Sequence, residues 1–219
     1  MGGTGGMGGT GGAGVVVRGV TLDDADLLAA VQVRAWQAAY PGIMPQPYLD
    51  DLDVADRAAT WRGIIQDHDT RYHGLVAVVG EAAIVGEAAI VGEAAVVGAE
   101  RGGPAGFAMF GPARELPDVP PPGTEPAGEL YALNVDPPRW RSGVGSALLE
   151  RVRGALVADG YGVAVLWVAT GNERARRFYE RHGWHADGVE QTADVFGVPV
   201  AETRYRRRLS TGEGTPLVP

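Results

Sequence analysis

The sequence predicts a single α/β domain built on a sheet of mixed strand direction. Segments with strand and helix patterns alternate along the chain, and two strand-like segments close it near the C-terminal end. A length of 219 residues, with 45% hydrophobic and 21% charged residues, suits one well-filled core. We therefore expect one domain over 15–209. The Gly-rich segment 1–14 and the segment 210–219 are expected to be disordered tails.

The N-terminal part is predicted to fold as a strand followed by two helices. The strand covers 15–20, and Thr21 with Asp24 resembles the capping box that starts a helix. The apolar residues that recur at helical spacing are Leu27, Leu28, Val31, Ala35 and Ala39. A second helix is predicted over about 54–66, with an apolar side made of Trp61, Ile64 and Ile65.

A low-complexity insertion repeats the motif V-G-E-A-A over about 80–103. A hexapeptide period also occurs in parallel β-helices, but three short copies are too few for such a solenoid. The flanks 75–79 and 104–110 both have strand patterns and are expected to pair as a hairpin. The insertion then extends the connection of that hairpin, either as longer strands or as a loop.

The C-terminal half continues the alternation. The predicted elements are a strand at 129–135, a helix at about 142–158, a strand at 163–168, a helix at about 172–182, and strands near 184–189 and 200–207. Strict alternation along the first of these strands would place Glu129, Tyr131, Leu133 and Val135 on one face of the sheet.

The segment RWRSGVGSALL at 139–149 carries two glycines before a predicted helix. A P-loop requires Lys and then Ser or Thr after its second glycine, and a dinucleotide fingerprint requires a third Gly or Ala, so this segment matches neither. A strand, a glycine turn and a helix N-terminus together can hold an anion through backbone N–H groups. The same sequence is equally compatible with a simple turn between a strand and a helix that binds no anion.

Two longer segments, ELYALNVDPPRWRSGVGSALLERV and NERARRFYERHGW, resemble the Gcn5-related N-acetyltransferase (GNAT) family. The N-terminal segment VRGVTLDDADLLAAVQVRAWQAAY resembles the first strand and the acceptor-side helix of that family. The resemblance implies a three-layer α/β/α fold whose mixed sheet is splayed at its centre. It also implies acetyl-CoA as co-substrate and transfer of the acetyl group to a primary amine of a small molecule or peptide.

The resemblance assigns the coenzyme A site to the glycine turn, the strand before it and the later helix. The residues implied are Leu133, Asn134, Val135, Trp140, Arg141, Ser142, Gly143, Val144, Gly145, Ser146, Asn172, Ala175 and Phe178. Trp140 departs from the family pattern, which has Gln or Arg at that place, and we expect Arg141 rather than Arg139 to meet the phosphates. Asn172 is expected to cap its helix as well as to bind the pantetheine arm.

Acetyl transfer requires a base for the amine, donors for the oxyanion and an acid for the departing thiolate. Glu129 is the candidate base, acting through a water or with a pKa raised by burial. The alternative is that Glu129 only caps its strand or pairs with an arginine. Tyr179 is the candidate acid, and the backbone N–H groups from Leu133 to Val135 are the candidate oxyanion donors.

Three aromatic residues, Trp36, Tyr40 and Tyr131, are candidates for the wall of the acceptor pocket. Trp36 and Tyr40 lie four residues apart on one helix, a spacing that fits plain core packing better than a pair facing the pocket. The four histidines show no spacing typical of a metal site, so we expect none. The absence of cysteine excludes an acyl-cysteine intermediate, which leaves direct attack by the amine.

A net charge of −8 argues against nucleic acid and anionic membranes as partners. The sequence also shows no signal peptide and no apolar stretch long enough to span a bilayer, so we expect a cytoplasmic protein. A homodimer is compatible with the sequence, which leaves the oligomeric state open. The alternative function is a non-catalytic module of the same fold that binds acyl-CoA.

Overall fold

The structure, a computed structural model, describes residues 14–67, 71–80, 103–115 and 125–209. The predictions about both tails and about most of the V-G-E-A-A insertion fall outside these residues.

Seven strands and five α-helices follow one another in the described part of the chain. They are β1 (Gly14–Gly19), α1 (Ala25–Ala39), α2 (Gln46–Asp50), α3 (Val54–Gln66), β2 (His73–Gly80), β3 (Gly103–Pro112), β4 (Ala127–Val135), α4 (Val144–Ala158), β5 (Val163–Ala169), α5 (Glu173–Arg181), β6 (His185–Val195) and β7 (Val198–Arg208). The α3 bounds are those predicted, whereas α4 begins two residues later than expected and α2 was not predicted. On α3, Ile64 is 46% exposed, so its assignment to the buried side was wrong.

The strands form one mixed sheet in the order β1-β2-β3-β4-β5-β7-β6. The β4–β5 pair is parallel and the other described pairs are antiparallel. The predicted pairing of the strands that flank the insertion is confirmed, since β2 and β3 are antiparallel neighbours.

Helices cover both faces of the sheet, which gives three layers. Phe107 and Ala108 are consecutive in β3 and therefore point to opposite faces. Phe107 packs in a cluster with α1 and α3, whereas Ala108 packs in a cluster with α4 and the α5 residue Tyr179. The predicted three-layer α/β/α architecture is confirmed.

The sheet splays at its centre. Strand β4 pairs with β5 only over Ala127–Leu130, and beyond Leu130 it remains paired with β3 alone. The register with β3 shifts at the same place, so that Tyr131 is an extra, bulged residue between Leu130 and Ala132. A bulge bends its strand and increases the local twist, which accounts for the separation of β4 from β5.

The bulge also changes which side chains share a face. Leu133 and Val135 pack with Leu130 on the α4 side, whereas Ala132 packs on the α1 side. The expectation that Glu129, Tyr131, Leu133 and Val135 would all share one face was therefore wrong beyond Tyr131. One inserted residue reverses the alternation of every residue after it.

Candidate active site

The gap between β4 and β5 presents backbone groups that lack a neighbouring strand. The N–H of Asp136 bonds to Ala105 O of β3 at 2.9 Å. Alternation along an antiparallel strand then turns Asn134 toward β3, and the N–H groups of Leu133 and Val135 toward the gap. These are the N–H groups expected to meet the oxyanion and the pantetheine arm.

The glycine turn leads from the end of β4 into α4. Arg141 and Gly143 have positive φ angles of 66° and 88°, and the helix begins at Val144. The first N–H groups of a helix have no intrahelical partner and carry partial positive charge. The turn therefore sets the open end of α4 beside the gap.

The second glycine of the turn allows a close contact between α4 and α5. A Cβ atom added at Gly145 would lie 3.2 Å from Cζ of Phe178. The Phe178 ring is confined between the rings of Tyr179 and His182 at centroid distances of 5.3 and 4.4 Å. Gly145 is thus needed for packing, whereas Gly143 is needed for its backbone angle.

Trp140, the departure from the family pattern, is held by two contacts. Its Nε1–H donates to Val135 O at 2.8 Å, and Cζ of Arg174 lies 3.2 Å from its ring centroid. Burial, followed by the charge of Arg141, lowers the pKa of Arg174, which places both guanidinium groups beside the turn. Arg174, which the sequence did not single out, therefore adds a positive charge where Trp140 has none.

Ser146, in the first turn of α4, is linked to α5 by a hydrogen-bonded chain. Its Oγ lies 2.9 Å from His182 Nε2, and His182 Nδ1 lies 2.8 Å from Phe178 O. Only a protonated Nδ1 can bond a carbonyl, so in neutral His182 the Nε2 atom accepts from the Ser146 hydroxyl. The chain orients the Ser146 side chain at the mouth of the turn.

Two predicted residues lie at the start of α5 and within it. The Asn172 side chain accepts from Ala175 N at 3.0 Å, which confirms its role as helix cap. Tyr179 is 8% exposed, and its hydroxyl has no hydrogen bond to the described residues. Burial, and then the proximity of Tyr40, raise the pKa of Tyr179, so the phenol stays protonated at neutral pH.

Glu129 is 1% exposed, and both of its carboxylate oxygens are occupied. The Arg114 backbone N–H donates to Oε2 at 2.9 Å, and the Arg114 side chain donates to Oε1 through Nε at 3.0 Å and through a second, shorter contact. The arginine pairing that the sequence left as an alternative is present. The role of Glu129 as general base stays a prediction.

The three aromatic candidates have different surroundings. Trp36 is 8% exposed and packs in a core cluster with Met44 and Leu49. The Tyr131 hydroxyl donates to Pro112 O, and Arg114 Cζ lies 5.5 Å from the Tyr131 ring centroid. Trp36 is thus mainly a packing residue, whereas Tyr131 lies beside the ion pair that the buried Glu129 forms with the half-exposed Arg114.

Tyr40 is the C-cap residue of α1, and its ring centroid lies 5.4 Å from that of Trp36. Burial, and then the negative charge of Glu202, raise the pKa of Tyr40 to about 12. Tyr40 packs on the same face of the sheet as Val198 and Val200 of β7, and its proximity, after burial, raises the pKa of Tyr179. Sequence reasoning missed Glu202 and Arg114, because neither stands in a local motif and both reach the site through long-range strand pairing.

The site combines unpaired backbone N–H groups, a glycine turn with two nearby arginines, and a buried, protonated phenol. Among the described residues, no group of three or more His, Asp or Glu side chains is placed to hold a metal ion. No helix in the described ranges is long and apolar enough to cross a membrane.

Several known proteins are similar to this chain. Residues 36–184 match the model of the acetyltransferase (GNAT) family. The chain is 28% identical, over 192 residues, to a protein of Mycobacterium tuberculosis named as a probable N-acetyltransferase. The match covers 87% of this chain and 92% of that relative.

Two solved structures share the fold. The paia N-acetyltransferase of Thermoplasma acidophilum, in complex with coenzyme A, has a TM-score of 0.56 and 16% identity, and the match covers 89% of this chain and 99% of that one. The yncA protein of Salmonella typhimurium, with its cofactor acetyl-CoA, has a TM-score of 0.57 and 18% identity, and the match covers 93% and 99%. At these identities the two structures show the fold alone.

Proposed function

The chain belongs to the acetyltransferase (GNAT) family and is an acyltransferase, and we propose that it moves the acetyl group of acetyl-CoA to a primary amine of a small molecule or peptide. One observation supports this most directly. The edge of β4 that faces β5 lies unpaired from Leu133 to Val135, and the glycine turn and α4 follow it in the chain. An extended amide-bearing chain can pair with such an edge as an added strand.

The diphosphate of coenzyme A would sit at the start of α4. Backbone N–H groups from Gly143 to Ser146 would receive it there, since the N–H of Ser142 already donates to Arg139 O. Arg141 and Arg174 would supply the formal positive charge. The pantetheine arm would follow β4 toward Tyr179, with the Asn172 side-chain amide donating to it. This placement brings the thioester to the base of the gap.

The reaction proceeds by direct attack. The amine nitrogen forms a bond to the thioester carbonyl carbon, and the backbone N–H groups of Leu133 and Val135 receive the negative oxygen. The C–S bond then breaks and the sulfur takes a proton. Tyr179 donates a hydrogen bond to the sulfur as charge develops. Its raised pKa disfavours net loss of the phenol proton, so the proton that the sulfur gains is the one that the attacking nitrogen loses.

Thiol release from acetyl-CoA, measured with a panel of primary amines, tests this function. We expect release with at least one amine, and an acetylated amine of the matching mass. Tyr179→Phe should lower kcat by about a hundredfold while leaving the Kd for coenzyme A unchanged. Tyr205→Phe is the matched control, because the Tyr205 hydroxyl bonds to Glu180 at 2.8 Å and to Arg176 at 3.1 Å, away from the gap.

The outcome also separates the enzyme from a binding module. Tight binding of acetyl-CoA without thiol release for any amine would overturn the proposed transfer and favour a non-catalytic acyl-CoA-binding protein. Equal kcat values for Tyr179→Phe and the wild type would show that Tyr179 takes no part in catalysis, but would not contradict the acetyl transfer itself.

A further inference from the structure

A second acidic residue, Glu202, lies on the acceptor side of the gap. It belongs to β7, where it pairs with Ala169 of β5 on one side and Gln191 of β6 on the other. Val198 and Val200, which precede it at alternating positions, pack in the cluster that contains Trp36 of α1. Alternation along the strand therefore directs Glu202 to the α1 face of the sheet, opposite α5.

The strand register places Glu202 at the open end of the gap. It pairs with Ala169, the last residue of β5, beyond Leu166, where the pairing of β5 with β4 ends. Tyr40, whose pKa the charge of Glu202 raises, packs in the same cluster as Ala169, Val198 and Val200. Glu202 also interacts electrostatically with Arg114 and Glu129. A carboxylate thus lies on the α1 face of the sheet, beside the open part of the gap between β4 and β5.

The two carboxylates, Glu129 and Glu202, differ in their hydrogen bonding. Glu129 has both oxygens occupied by Arg114. Glu202 accepts from Gln191 Nε2 at 2.9 Å through Oε2, and within the described ranges its Oε1 has no donor. A cationic ligand can therefore approach Oε1 without breaking an existing bond, whereas it would have to displace Arg114 to reach Glu129.

We infer that Glu202 receives the ammonium group of the acceptor and accepts its proton before attack. This inference rests on the proposed acetyl transfer and narrows the acceptor to an amine that arrives as a cation. Under this inference Glu129 has a structural role: it holds Arg114, which in turn lies against the Tyr131 ring beside the acceptor.

The proton balance of this step is complete. The ammonium loses one proton to Glu202, and the neutral amine forms the new C–N bond. The attacking nitrogen then loses a second proton as the C–S bond breaks, and the sulfur gains one. The net reaction releases a single proton, which leaves from Glu202 to solvent.

The charges around Glu202 bear on its proton affinity. Burial raises the pKa of Glu202, the Gln191 amide and Arg114 oppose that shift, and Glu129 adds to it. Tyr40 faces it from α1, and Arg204, two positions along β7, is paired with Asp187 at 2.8 Å. The raised pKa brings the carboxylate closer to the working range of a general base.

Glu202→Gln tests the inference, because it keeps the shape of the side chain and removes the charge. We expect kcat/KM at neutral pH to fall by about a hundredfold or more, with the Kd for coenzyme A unchanged. The loss should shrink as pH rises toward the pKa of the amine, because free amine then forms without the carboxylate. Glu190→Gln, an exposed residue on β6, is the matched control.

A second variant keeps the carboxylate and changes its environment. Gln191→Met removes the hydrogen bond that lowers the pKa of Glu202, so the acidic limb of the kcat/KM profile should move to higher pH. Full activity of Glu202→Gln, or an acidic limb unmoved in both variants, would overturn the inference. A wild type that releases no thiol with any amine would instead contradict the proposed transfer itself.

Discussion

The guanidinium carbon of Arg174 lies 3.2 Å from the centroid of the Trp140 ring, and this contact puts a positive charge beside the glycine turn. The turn therefore has a cation next to Trp140, supplied from α5 rather than from the turn. Because the contact depends on α5, it also ties α5 to the segment that precedes α4.

Arg174→Gln should weaken coenzyme A binding by about five- to tenfold, since it removes one charge-assisted contact with the phosphates. Isothermal titration with coenzyme A measures the effect, which should shrink at high salt because of screening. Arg177→Gln is the control, because Arg177 lies one turn further along α5 and pairs with Glu173. Equal Kd values for both variants would exclude Arg174 from the phosphate site.

The two glycines of the turn should respond differently to alanine. Gly143→Ala forces a left-handed backbone and should lower the free energy of unfolding by about 1 kcal/mol. Gly145→Ala presses on Phe178 and should cost about 1–3 kcal/mol, and it should also weaken coenzyme A binding.

Urea unfolding, with and without coenzyme A, measures both changes. Gly154→Ala provides the reference, because Gly154 lies inside α4 with nothing within 4 Å of its Cβ position. Alanine there should stabilise the helix by about 0.5–1 kcal/mol. A Gly145→Ala variant as stable as Gly154→Ala would contradict the close packing against Phe178.

The Glu129–Arg114 pair should matter more for stability than for proton transfer. Arg114→Ala removes the guanidinium from a buried carboxylate and leaves it only the backbone N–H of residue 114, so it should lower the free energy of unfolding by about 1–3 kcal/mol. Glu129→Gln retains the hydrogen-bonding shape and should cost less.

Turnover of Glu129→Gln, corrected for its folded fraction, distinguishes the two roles of Glu129. We expect a reduction of less than about tenfold, because the carboxylate is already engaged by Arg114. A loss of a hundredfold or more, with an altered pH profile, would restore Glu129 as the base and contradict the assignment to Glu202.

The lowered pKa of Asp24 predicts that the free energy of unfolding depends on pH in the acidic range. Burial alone would raise the pKa of Asp24, but hydrogen bonds from Arg18 and Thr21 outweigh burial and hold the pKa below its ordinary value. A carboxylate with a lowered pKa stabilises the fold above its unfolded pKa of about 3.9, and that stabilisation is lost as pH falls through the folded pKa.

Asp24→Asn should therefore lower the free energy of unfolding by about 2 kcal/mol at pH 7, and by less as pH falls below about 4. Chemical denaturation at a series of pH values measures the difference, with the exposed neighbour Asp23→Asn as control. A difference that stayed constant down to the lowest pH would show that the ion pair with Arg18, at 2.7 Å, is not its source.

Much of the fold could be predicted because its signals are local. The helix α3 occupies the predicted range, since its apolar spacing and the Asp53 cap lie within a few residues of each other. The segments around Asn172 and Gly143 likewise carry their own capping and turn chemistry. Two motifs in the right order were enough to indicate the family, and with it the splayed sheet.

The sequence by itself thus determined the order of elements, the glycine turn and the residues that stand in motifs. The tertiary structure decided the bulge at Tyr131, the partner of Glu129 and the place of Glu202. These features depend on strand register and on contacts between residues far apart in the chain, so the local sequence does not determine them. A bulge is defined only by the pairing of its strand with the neighbouring strand. The hydrogen bonds of a carboxylate likewise depend on residues that the fold brings to it from elsewhere in the chain.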